Sequence, residues 1–499
     1  MTSLVPRPPY TDEELRKLYP EGLELQLVQI LMRHGERTPV SARFQNAGLK
    51  PWWPYCASAR QMRSVVLAAS NATTGNHAFD TLEWKRRLET FGDDDGPVLA
   101  HGPNGERDDI CDMGSLTDLG RQSTYNLGLR LRKHYVDRLG FLPPTISSAD
   151  FLYLRSTPVP RALESLQQTF SALYPPSARE PGPDGKFPTP TILTRVPGDE
   201  TLYPNDGNCR RFAALSRAFA QRAADRWNNT PDMEYLQKIY GKWMPPGSKV
   251  AVDSRPRLSG IMDTVNATLA HGPETRLPDE FYDEKARAIM EKIGVDEWFA
   301  GYKESREYRM LGIGGLMADI VGRMVGTVEQ QQRPGGGRIR FGLSGCHDTT
   351  LAGVLASLGA YNTDRWPPFT SHIAIELFRE SKPASAPPSE PAKGSWWASI
   401  LGSPRAPASI GRRPTTELTA AEREKLNGYY VRIRYNDEPV TVPACKLPGN
   451  HLAGDESFCT LAAFKSVVDK FTPKNWKEQC RMNRDQPALP TGEPEWAGY

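Results

Sequence analysis

Leu23, Leu25 and Leu27 alternate with Glu24 and Gln26 before the chain turns apolar through Met32. A strand entering a sheet covered on both faces has this pattern. Short strands are predicted in the same way at 151–154 and 339–343, each followed by a helical period, at 161–174 and 349–358. Strands alternating with helices predict an α/β fold whose sheet is mostly parallel and flanked by helices. From about 208 to 332 helical periods take over, in amphipathic runs such as CRRFAALSRAFAQRAADRW and DEFYDEKARAIMEKI. This predicts an inserted all-helical cap at 206–332 between two parts of an α/β core, 20–205 and 333–480.

The runs HIAIELF (372–378) and YYVRIRY (429–435) read as the two strands of a hairpin with an enlarged connection. Between them, residues 380–415 are rich in Pro, Ser and Ala and are expected to form a flexible surface loop. Its WWASIL centre, from Trp396 to Leu401, reads as loosely packed loop, with docking on the body or a partner as the alternative.

Composition narrows the function classes. A net charge of +3 over 499 residues, with no dense basic run, gives no reason to propose nucleic acid as a partner. No stretch of ~18 apolar residues predicts a membrane span. The start, MTSLVPRPPYTDEELRKLYPEG, lacks an apolar core of the secretory kind, so a cytoplasmic protein is expected, with mitochondrial or secretory and vacuolar sites as alternatives. Seven cysteines without CxxC pairs give neither a zinc pattern nor a clear disulfide framework. Cys445, Cys459 and Cys480 cluster near the end, where an oxidising compartment would allow a bridge. Sequons at Asn71, Asn228 and Asn266 matter only on the secretory route.

Candidate chemistry gathers at the ends of the three predicted strands. The first runs into Arg33-His34-Gly35-Glu36-Arg37-Thr38-Pro39, the second into Arg155-Ser156-Thr157, the third into Ser344-Gly345-Cys346-His347-Asp348. Ligands of open α/β sheets collect at the carboxyl ends of strands. A phosphoryl group in transfer spreads charge over three oxygens, which planar guanidinium forks grip two at a time. Arg33, Arg37 and Arg155 therefore form a candidate clamp that needs no metal. A neutral His34 can attack phosphorus, because neighbouring cations disfavour its protonation. Asp348, held protonated by bound phosphate, can donate to the leaving oxygen.

These segments resemble the histidine acid phosphatase family. RHGERTP is similar to its RHGxRxP signature, His347-Asp348 to its HD element, Arg155-Ser156-Thr157 to its RST segment, and Leu116-Thr117-Asp118-Leu119-Gly120 to its helix start. The resemblance implies a phosphoglycerate-mutase-like α/β core with a helical insertion. It also implies a phosphomonoesterase with no cofactor, acting on a small phosphorylated substrate. His34 would be the nucleophile and Asp348 the acid, with Arg33, Arg37, Arg155 and His347 as phosphate ligands. Pro158 and Pro160 depart from the acidic residues the family carries after RST. The segment from Glu200 to Asn205 resembles the lysophosphatidic acid phosphatase branch. A phosphomutase and a catalytically silent phospholigand-binding or scaffold protein are the rival readings. Cys346 reads as a buried thiol, His372 as structural, Asp93 to Asp95 as a solvated loop, and the glycines at 335–337 lack phosphate-loop spacing.

Overall fold

The computed structural model describes residues 2–58, 61–71, 76–330, 339–381 and 409–499. The WWASIL run and the glycines at 335–337 lie outside the described residues. The first strand, β1 (Leu23–Arg33), is buried from Gln26 onward. Val28, Ile30 and Met32 pack with one layer of helices and Leu27 and Leu31 with the other, which explains why its polar alternation stops.

Two hairpins follow, β2 (Gln61–Asn71) with β3 (Asn76–Lys85) and β4 (Glu89–Phe91) with β5 (Pro97–Leu99). Neither was predicted, for a physical reason. Val65 at 72% and Phe79 at 65% exposure lie on one face of the longer hairpin, and the exposed Leu82 and Trp84 on the other. A ribbon with no buried face among its described side chains leaves no two-residue period to read.

The main sheet is completed by β6 (Leu152–Ser156), β7 (Ile192–Leu193), β8 (Phe341–Cys346), β9 (His372–Glu380), β10 (Tyr429–Tyr435), β11 (Glu438–Val440), β12 (His451–Leu452) and β13 (Asp455–Thr460). Its order is β12-β13-β10-β9-β1-β8-β6-β7, with β11 beside β10. The sheet is mixed. Parallel pairing runs from β1 through β8 and β6 to β7, and the strands on the other side of β1 pair antiparallel. β9 and β10 form the expected hairpin, and adjacent hairpin strands run in opposite directions.

Helix α1 (Asp12–Leu18) precedes β1, while α2 (Asp118–Leu131) and α3 (Pro160–Leu173) cover one face of the sheet. Between Asp206 and Gln330 the described elements are all helical: α4 (Arg210–Trp227), α5 (Pro231–Tyr240), α6 (Leu258–Ala270), α7 (Glu284–Glu304), α8 (Arg306–Gly312) and α9 (Gly314–Gln330). Residues of α5, α6 and α7 build a separate apolar cluster with Phe44, Leu49 and Trp53 from the loop after β1. That loop is thereby pinned between sheet and helices. No single helix among the described residues is long and apolar enough to cross a membrane.

Six cysteines pair: Cys56 with Cys111, Cys209 with Cys480, and Cys445 with Cys459. The terminal cluster thus holds one bridge, while Cys480 reaches back to the start of α4. Cys346 is free and buried, and burial pushes its thiol up to about 12. Thiol titration should accordingly find no reactive thiol in the folded protein, one after denaturation without reductant, and seven after reduction. Seven without reductant would show that the pairs do not form.

Candidate active site

β1 ends at Arg33, and the chain leaves the sheet at His34. The His34 amide donates to the Cys346 carbonyl at 3.1 Å and the Arg33 amide to that of Ser371 at 2.8 Å, so neighbouring segments on both sides hold the turn. Register places Arg33 opposite Cys346 and Ser156 opposite Gly345, which levels the ends of β1, β8 and β6. Gly35 follows because nothing larger fits. A Cβ there would lie 2.3 Å from the Gly120 carbonyl oxygen, and one on Gly120 would lie 2.2 Å from that of Glu36. The two glycines seat the loop on the first turn of α2, whose N-cap is Thr117. The Leu116 to Gly120 motif therefore has a packing role beside the RHGERTP loop.

His34 is 1% exposed, and its Nδ1 lies 2.8 Å from the Gly35 carbonyl oxygen. A carbonyl can only accept, so Nδ1 carries the proton and Nε2 keeps its lone pair. Burial, then the charges of Arg161, Arg37 and Arg33, push the imidazole well below its ordinary value. The neutral, nucleophilic form therefore persists into acidic solution.

Three guanidinium groups converge near this ring. Arg33 pairs with Asp348 Oδ2 at 2.8 Å and lies over the Phe369 ring, 4.1 Å from its centre. Arg37 pairs with Asp263 of α6 at 2.8 Å, a link from the helical region to the site. Arg161, in the first turn of α3, is brought down to about 10 by burial and by Arg37, and stays a cation. The Nε atoms of all three are buried without a hydrogen-bond partner. Three such forks with unfilled donors suit an anion.

His347 caps α10 (Asp348–Ser357), its ring centre 5.6 Å from that of His34 and its Nε2 3.2 Å from Thr157 Oγ1. Burial and Arg161 lower its basicity despite Asp348 beside it. Asp348 accepts from the Thr349 amide at 2.8 Å and from the Trp366 indole N–H at 2.9 Å. Burial alone would raise its carboxyl, but Arg33, Trp366 and Arg37 outweigh it and hold the group below its ordinary value. Asp348 is therefore ionised near neutral pH.

Arg155 departs from the sequence-based expectation. It is 1% exposed and donates to Glu200 Oε1 at 2.5 Å and Thr201 Oγ1 at 3.1 Å, with Asp319 at 3.9 Å. A buried cation takes the carboxylates its strand face offers. It is thus paired with Glu200, and the cations whose charges act on His34 are Arg161, Arg37 and Arg33. Arg33, His34, Arg37, His347 and Asp348 lie together.

The model of the histidine phosphatase superfamily (branch 2) matches residues 24–436. The chain belongs to this family. It is a histidine phosphatase, a hydrolase of phosphate monoesters. A probable acid phosphatase of Schizosaccharomyces pombe is 35% identical over 465 residues, covering 93% of this chain and 95% of that one. Lysophosphatidic acid phosphatase type 6 of Homo sapiens is 25% identical over 365 residues, 72% of this chain and 76% of that one. Among solved structures, a Bifidobacterium longum multiple inositol polyphosphate phosphatase in complex with inositol hexasulfate matches with a TM-score of 0.51 at 13% identity. The match covers 94% of this chain and 97% of that one. That likeness shows the fold alone.

Sequence reasoning missed Arg161, Trp366, Phe369 and Asp263 in this histidine phosphatase. Arg161 did carry a signal. A cation in the first turn of a helix opposes the helix dipole, and is tolerated where an anion is expected beside it. Pro160 before it is the first residue of α3, the position that proline favours, so the apparent departure from the family pattern is a helix start. Trp366 and Phe369 lie in a loop without periodicity and carried none.

Proposed function

We propose that this histidine phosphatase works without a metal, through a phosphohistidine formed on His34 Nε2. The lone pair attacks phosphorus while Asp348, protonated in the substrate complex, gives its proton to the leaving oxygen. Water then attacks the phosphohistidine, passing a proton to the Asp348 carboxylate, which restores both groups. Arg33, Arg37, Arg161 and His347 bind the phosphoryl oxygens. The observation that carries this reading is the orientation of His34, whose protonated nitrogen is tied back to the Gly35 carbonyl while the charges of Arg161, Arg37 and Arg33 act on its ring. A bound phosphate dianion would draw Arg33 from Asp348 and raise that carboxyl, which then takes up from solvent the proton it donates.

The test is turnover of p-nitrophenyl phosphate by purified protein in excess EDTA. Turnover undiminished by the chelator is expected. Loss in EDTA would sink the metal-free route, and no turnover at any pH would favour a phospholigand-binding protein.

Arg161 and Arg155 should separate in the same assay. Arg161→Ala should lower kcat/KM by roughly a hundredfold, as loss of a charge-assisted contact does, with little change in melting temperature. Arg155→Ala should instead lower the melting temperature, because the buried Glu200 loses its counter-charge and keeps only the Thr201 and Leu202 amides, at a cost of about 3 kcal/mol. The reverse result would return Arg155 to the phosphate.

A cavity of about 730 Å³ has Arg161 on its wall, together with Val40, Met113, Arg86 and Glu164. It offers room for a leaving group of mixed polarity, and small phosphate monoesters, lysophosphatidic acid among them, are the proposed substrates. The three cysteine pairs favour an oxidising compartment, so a secretory or vacuolar site is proposed in place of the cytoplasmic one expected from the sequence.

A further inference from the structure

A second cavity, of about 290 Å³, shares no residue with the catalytic cluster. Its size suits a small organic molecule. Its floor is the sheet, at His372 and Ala374 of β9. Its wall is the end of α2, at Leu127 and Arg130, and the π-helical turn Arg132–Arg138 that continues it. The segment before α1 closes it over Tyr10. Arg434 donates to the Tyr10 hydroxyl at 2.9 Å and Arg138 to the Tyr10 carbonyl at 3.0 Å, so this cover is held in place.

Five cationic side chains and one carboxylate, Asp437, line the cavity. Three of the cations are satisfied elsewhere, Arg7 by Glu14, Arg138 by Asp12 and Arg434 by Glu376. Arg130 is not. Its Nε and Nη2 are buried with no hydrogen-bond partner, and the one carboxylate whose charge reaches it among the described residues, Asp437, makes no ion pair with it. His372, 1% exposed, faces Asp437 through Nε2 at 3.2 Å and has no partner at Nδ1. The unfilled donors of Arg130 on an otherwise largely apolar wall call for a ligand with one polar, hydrogen-bond-accepting end.

We propose that this cavity is a second ligand site, taking a small carboxylate amphiphile with its head on Arg130 and its apolar body against Leu127 and Ala374. A guanidinium fork matches a planar carboxylate. Asp437 on the same wall disfavours a dianion, which points to a monocarboxylate rather than a phosphate ester. The site stands independently of the catalytic reading.

Isothermal titration calorimetry of the full chain with decanoate, below its micellar concentration and with inorganic phosphate in excess, tests this. One site per chain is expected, weakened about tenfold or more in Arg130→Gln and unchanged in His34→Ala. Ala374→Leu, which fills the floor, should abolish binding, and it carries the comparison should Arg130→Gln fail to fold. Decanol, equally long but uncharged, should bind at least about tenfold more weakly. No saturable heat with the wild type would leave the cavity to water and overturn the proposal. So would equal affinity in a folded Arg130→Gln, undiminished binding in Ala374→Leu, or loss of binding in His34→Ala.

Discussion

His34→Ala should lower turnover of p-nitrophenyl phosphate by at least on the order of 10⁴-fold, the scale seen when a covalent nucleophile is removed. The same change should abolish trapping of labelled phosphate on the protein after a denaturing quench at alkaline pH, where a phosphorus–nitrogen bond survives. The fold should be unharmed, since alanine removes a ring whose one polar contact among the described residues is the carbonyl of the next residue. The loss should not be recovered by acid, because the wild-type imidazole is neutral across the working range and no titration of that group stands in for its absence. Label retained on the alanine variant would assign the nucleophile elsewhere. His347, the nearest ring, would then be the group to replace.

Asp348→Asn should discriminate among substrates. With p-nitrophenyl phosphate, whose leaving anion is stable, kcat should fall about tenfold. With an alkyl phosphate, whose leaving oxygen needs a proton, it should fall on the order of 10³-fold. The sign of the pH dependence follows from the site. Arg33, Trp366 and Arg37 hold the free carboxyl below its ordinary value against the opposing effect of burial. The proton is therefore present only in the substrate complex, and kcat should fall as pH rises through the value that the complex sets. Equal losses on both substrates, or an alkaline limb that survives in the asparagine variant, would remove Asp348 from the role of donor.

Much of the site was legible because its residues stand where strands end. Arg33, His34, His347 and Asp348 are contiguous pairs at the carboxyl ends of β1 and β8, and the register of those strands brings them level. Arg155 misled for the opposite reason. It too stands near a strand end, but its counterions, Glu200 and Asp319, come from distant segments that no local pattern reveals. The strands β6 and β8 run on to Ser156 and Cys346, past their apolar stretches, because small and polar residues there are buried and paired as fully as the leucines before them. The hairpin β2–β3 was invisible for want of a buried face. Cysteine pairing was equally out of reach, since spacing does not determine connectivity.

The bridge between Cys209 and Cys480 has a consequence for the chain's continuity. His34 and Asp348 both precede Ser381, whereas β10 to β13, which complete one side of the sheet, follow Ser409. A nick anywhere between Ser381 and Ser409 would leave the two cysteines on separate polypeptides. The severed piece would stay tethered, and β10 would keep its place against β9. Such a molecule would behave as an enzyme of two chains, coming apart only once that sulfur link is reduced.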